Sequence, residues 1–80
     1  MKRLVLHLAR GLVREPDRVR VHEHVEHGEH GHTVLEVSVA PPDRGRVIGR
    51  EGRTAGAMRT LLGALAERRD GGTVSLEVLD

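Results

Sequence analysis

Three arginines, Arg46, Arg50 and Arg53, surround two glycines, Gly49 and Gly52, in the stretch RVIGREGR. Glycine has no Cβ, so a pair of them three residues apart lets a chain turn sharply and bring its backbone close to a ligand. Apolar residues at helical spacing stand on both sides of this break, Val47 and Ile48 before it and Ala55, Met58, Leu61 and Leu62 after it. A helix restarting beyond the break offers unpaired N–H groups and the positive end of its dipole, which suit phosphate oxygens. With three guanidinium groups nearby, the chemistry of the stretch is that of a phosphate cradle. Glu51 opposes it, since a carboxylate repels phosphate.

The other constellation is VHEHVEHGEHGH, in which His22, His24, His27, His30 and His32 could present imidazoles to a metal. Metal sites need ligands held in place by surrounding hydrogen bonds, whereas Gly28 and Gly31 mark a flexible turn. Solvated histidines on a hairpin explain the tract, so neither metal nor cofactor is expected, and a His-rich metal-binding protein stays a secondary reading. A P-loop is excluded because Val47 stands where its first glycine belongs and Arg53 where its lysine belongs. Nucleophilic catalysis lacks a cysteine, and Ser38 and Ser75 fall in strand-like stretches without a triad context. Glu23, Glu26 and Glu36 alternate with apolar residues as a solvated sheet face would. No enzyme is expected.

Eighty residues allow one small domain, assigned to 1–80, which buries only about 60% of the surface its unfolded chain exposes. The chain has no cysteine and no aromatic residue. Aliphatic packing alone must build the core, and modules that stack bases on aromatic rings are excluded. A net charge of +1 provides no global pull on a polyanion, so local charge must act. His7 and Arg10 interrupt the first apolar run and no later stretch could span a bilayer. The expectation is a soluble, cytoplasmic protein without a membrane partner.

Periodicity supplies the elements that must hold the loop. Leu4, Val5, Leu8, Ala9 and Leu12 predict a helix over 2–13, stopped by Pro16. A strand over 18–27 places Val19, Val21 and Val25 on one face and Arg20, His22, His24 and Glu26 on the other. After the His-rich turn, Thr33, Leu35, Val37 and Val39 alternate in a second strand closed by Pro41 and Pro42. Asp43 favours the start of a short helix over 44–48. A longer helix over 53–68 buries Ala55, Met58, Leu61, Leu62, Leu65 and Ala66, and Val74, Leu76 and Val78 form a last strand. The order α-β-β-α-α-β implies an α+β layer, a three-stranded sheet with its helices on one face.

The string VIGREGR between a short and a long helix resembles the I-G-x-x-G core of the KH domain, whose loop clamps a nucleic-acid backbone. The helix-first order is similar to the type II KH arrangement, and APPDRGRVIGREGRTAGAMRTLL through the closing strand resembles the KhpA (YlqC-like) family of small bacterial KH proteins. The resemblance implies a single-stranded RNA-binding protein, acting as an RNA chaperone or post-transcriptional regulator, that pairs with itself or with a second KH protein of the KhpB type. Carried over by position, Gly49, Arg50, Glu51 and Gly52 form the clamp, with Arg46, Val47 and Ile48 on the helix leading into it. Arg53, Thr54 and Ala57 line the far wall, and Val37 or Val39 forms the floor. The competing reading is a protein-interaction or dimerisation module, for which Leu6 and Leu79 are the spare apolar residues.

Overall fold

The computed structural model describes residues 1–26, 31–69 and 71–79. Helix α1 (Lys2–Leu12) is followed by a single 3-10 turn at Pro16–Arg18 and then by strands β1 (Arg20–Glu26) and β2 (His32–Ser38). A second 3-10 turn at Pro41–Asp43 leads into α2 (Arg44–Ile48), and a third at Arg50–Gly52 separates it from α3 (Arg53–Arg69). Strand β3 (Thr73–Val78) ends the order, which is the expected α-β-β-α-α-β. The turn expected around Gly28, with His27 and His30, lies outside the described residues.

The sheet runs β1-β2-β3, with β1 antiparallel to β2 and β2 parallel to β3. Parallel neighbours need a crossover, and here α2 and α3 supply it. Val21 faces Val37 and Leu35 faces Leu76 across the ladders, and these side chains bury against Val5, Ala9, Val47, Met58 and Leu62 from the helices. Leu35, Leu62, Val5, Val37 and Val47 are fully buried, an aliphatic interior built without a ring. Leu6, expected to be spare, packs against this cluster.

Several expected positions shift, each for a local reason. Pro16–Arg18 turns as a 3-10 helix, with the Val19 amide donating to the Pro16 carbonyl at 3.2 Å, so β1 starts at Arg20 and the buried Val19 precedes it. Val39 likewise lies just beyond the end of β2. Val25 shares the core-facing side of β1 but is 56% exposed, because an open cavity of about 260 Å³ lined by Met1, Glu23, Thr33 and Arg69 stands where a helix would cover it. On α3 the buried stripe is Ala55, Met58, Leu62 and Ala66. Leu61 sits about 100° around the helix from Leu62 and is 44% exposed, so it leaves the expected core.

Gly63 lies inside α3, and a Cβ added there would meet nothing within 4 Å. Glycine in a helix interior costs about 0.5–1 kcal/mol relative to alanine. Gly63→Ala is therefore expected to raise Tm by about 2–8 °C for a domain of this size, read in a thermal melt by circular dichroism.

Candidate nucleic-acid interface

Helix α2 is five residues long and its last turn closes through the Gly49 amide, which donates to the Gly45 carbonyl at 2.9 Å. Gly49 then leaves the helix at φ 79 and ψ 170, a region open essentially only to glycine. The elbow closes on itself as the Gly52 amide donates to the Gly49 carbonyl at 3.1 Å and the Arg53 amide to that of Arg50. Glu51 has φ 57 and Gly52 φ 75, so three of the four elbow residues have positive φ. Left-handed backbone costs a side-chain-bearing residue about 1–2 kcal/mol, and Glu51 carries that cost here.

Close approach explains Gly49 as much as torsion does. A Cβ at that position would stand 2.7 Å from both the Cβ and the amide nitrogen of Thr54, and closer still to its hydroxyl. The elbow is folded down onto the first turn of α3. Its charged side chains point out: Arg50 is exposed and its guanidinium makes no ion pair or hydrogen bond among the described residues. Arg53 approaches Glu51 at 3.7 Å, with both side chains about three-quarters exposed. A pair so solvated contributes little, but it draws the opposing carboxylate toward Arg53 and away from Arg50.

Arg46 is less free. Its Nε lies 3.7 Å from Oδ1 of Asp43, a carboxylate that is itself 98% buried. Asp43 was expected to act locally at the start of α2, yet its side chain makes no capping bond there. Oδ1 accepts from the Arg14 amide at 3.2 Å and Oδ2 from the Glu15 amide at 3.1 Å, tying the end of α1 to the base of the loop-bearing helix. Nothing in the local sequence pattern signals a bond across 28 or 29 residues.

Val47 and Ile48 divide by helix geometry. Ile48 is 39% exposed beside the elbow, whereas Val47 is fully buried and cannot touch a surface ligand. Val37 and Val39 are also buried, Val37 completely, so neither is an open floor: the alternation that selects them aims them into the core. Thr54 and Ala57 instead face α1 across an apolar groove of about 400 Å³, with His7, Leu8, Gly11, Leu12 and Met58 as its other lining. Periodicity alone accounts for the apolar stripe of α1 as core and gives no sign of this contribution; Leu8 and Leu12 remain partly open.

Among the described residues, the histidines of this tract divide between two places. His22 and His24 lie on the outer sheet face near Glu36, and His32 hydrogen-bonds Thr73 and Ser75 on β3; His27 and His30 lie outside the described residues.

Residues 2–78, which include every element from α1 to β3, match the KhpA/KhpB KH-domain family. The chain belongs to that family. It is 46% identical to the RNA-binding protein KhpA of Halalkalibacterium halodurans over 81 aligned positions, with all of both chains covered. It is 51% identical to the RNA-binding protein KhpA of Leifsonia xyli subsp. xyli, covering 92% of this chain and 90% of the relative. The RNA-binding protein KhpA of Chlamydia pneumoniae is 42% identical across the whole of this chain and 97% of its own. No solved structure matches the chain. As a KhpA/KhpB KH domain it falls in a non-enzymatic family, and its α+β fold with α-β-β-α-α-β order is the type II KH arrangement. No helix of the described residues is long and apolar enough to cross a membrane.

Proposed function

We propose that the chain binds single-stranded RNA, gripping the sugar-phosphate backbone at the Gly49–Gly52 elbow. The observation carrying this reading is the elbow itself: Arg50 and Gly52 stand at the start of a 17-residue helix, with Arg53 beside them and open space where a Cβ of Gly52 would lie. Oxygen atoms of a phosphate meet the guanidinium groups of Arg50 and Arg53 there, beside the positive end of the helix dipole. Thr54, Ala57 and the exposed Ile48 offer aliphatic surface beside the clamp on which unpaired bases rest without aromatic stacking. Val37, Val39 and Val47 belong to the buried core and take no part in the contact. The names of the KhpA relatives agree with the reading.

A grip of this kind holds a strand without acting on it, which suits an RNA chaperone or post-transcriptional regulator in the cytoplasm. One elbow with an opposing Glu51 binds weakly, and pairing with a second copy or with a KhpB-like KH protein raises the effective concentration of the second clamp. Light scattering with and without RNA separates this assembly from a module that only dimerises.

Amide resonances during titration with a short single-stranded RNA test the site. Shifts are expected at Gly49–Arg53 and at Thr54 and Ala57; an elbow whose amides do not move under saturating RNA overturns the reading. Salt gives an independent measure. Each phosphate neutralised on a single strand contributes about −0.7 to the slope of log K against log salt. Two or three arginine contacts predict a slope of about −1.4 to −2.1, measured by filter binding across a salt series.

A further inference from the structure

Alternation along β1 and β2 sends Arg20, His22, His24 and Glu26 to the sheet face away from the helices, and the antiparallel register sets Glu36 directly opposite His22. Side chains opposite each other on paired strands, or diagonal across them, come within mutual reach. Here one ligand atom from each of His22, His24 and Glu36 lies within 4.8 Å of the others. His24 Nδ1 is 4.0 Å from Glu36 Oε1, and the two imidazole centroids are 5.8 Å apart. We propose that His22, His24 and Glu36 bind a divalent transition-metal ion of the zinc type on the outer face of the sheet.

The donor set selects the class of ion. Two imidazoles and one carboxylate suit zinc, copper or nickel, whereas calcium and magnesium prefer all-oxygen sites. Zinc bonds of about 2.0–2.2 Å place tetrahedral ligands about 3.3 Å apart, so the three side chains must close by about 1.5 Å. His22 and His24 are exposed and Glu36 half-buried, so side-chain rotation closes that gap while both strands stay fixed. Water completes the coordination.

Neighbouring groups leave the triangle available. Arg20 directs Nη1 to the carbonyls of Asp17 and Val19, which keeps its cation off the site. His32 is held by Thr73 and Ser75. Glu77, paired with Glu36 in the β2–β3 register, adds negative charge along the same row. All three ligands sit on paired strands, so the site needs nothing from residues 27–30. Their face is opposite the helices, so this inference is independent of the RNA reading.

Calorimetric titration of the full chain with zinc, joined to thermal melts and imidazole proton spectra, tests the proposal. One zinc per chain is expected, with a rise in Tm on zinc addition and shifts of the His22 and His24 ring protons. Removing only a supporting hydrogen bond at a metal site costs 10–100-fold in affinity, so His24→Asn and Glu36→Gln are each expected to weaken binding at least about tenfold and abolish the rise in Tm. The double variant His27→Asn, His30→Asn retains both. Absence of zinc binding overturns the proposal, and so does full affinity in Glu36→Gln or loss of binding in the double variant. Melts without zinc establish that each variant folds.

Discussion

Gly49→Ala is expected to lower Tm by about 12–24 °C. Two costs combine. At φ 79 and ψ 170 an alanine occupies a region that costs of order 1–3 kcal/mol. Its Cβ also lands 2.7 Å from the Thr54 amide nitrogen, an atom locked in the first turn of α3 that cannot move alone. Overpacking of this kind costs about 1–3 kcal/mol. A sum near 3 kcal/mol is a large part of the stability of a small domain, and each kcal/mol corresponds to about 4–8 °C. Gly52→Ala is the control: its φ is 75, but a Cβ there meets nothing within 4 Å. Only the torsional cost applies, about 1–2 kcal/mol. Equal melting temperatures for the two variants would show that contact with Thr54 carries no weight.

Arg50→Asp with Glu51→Asp is expected to reduce RNA affinity by about tenfold or more while the fold survives, since one hydrogen bond to a charged group contributes about 1.5–3 kcal/mol. The exchange removes the unpaired guanidinium at the tip and places a second carboxylate where phosphate would lie. Both side chains are exposed, and aspartate tolerates the left-handed backbone of position 51 better than glutamate does. Filter binding measures the loss and circular dichroism the fold. A folded variant with undiminished affinity would remove the elbow from RNA recognition.

The two consequences concern residues that the sequence itself marks, because glycine spacing is a local signal. So are the helical stripes: Val5 and Ala9 on α1, and Ala55, Met58, Leu62 and Ala66 on α3, are buried as periodicity requires. What periodicity cannot carry is distance along the chain. Asp43 reads as a local helix starter until its bonds to Arg14 and Glu15 are seen. Glu36 reads as one more solvated carboxylate until the strand register sets it against His22. Val37 illustrates a subtler failure. Alternation correctly predicts which face it occupies, but a face can be roofed by helices or left open, and only packing decides; Val25 shows the opposite outcome on the same side of the sheet.

The parallel pairing of β2 with β3 also has a kinetic side. His32 and Thr73 are neighbours in the sheet but 41 positions apart along the chain. Strands β1 and β2 pair between near neighbours in the chain, whereas β3 must wait until both intervening helices have collapsed into a closed excursion. Such non-local closure loses chain entropy before contacts compensate it, and it slows folding relative to a helical bundle of equal size. Until then, one rim of β2 carries unsatisfied amides and carbonyls, and this rim is where a nascent chain is most open to mispairing with another.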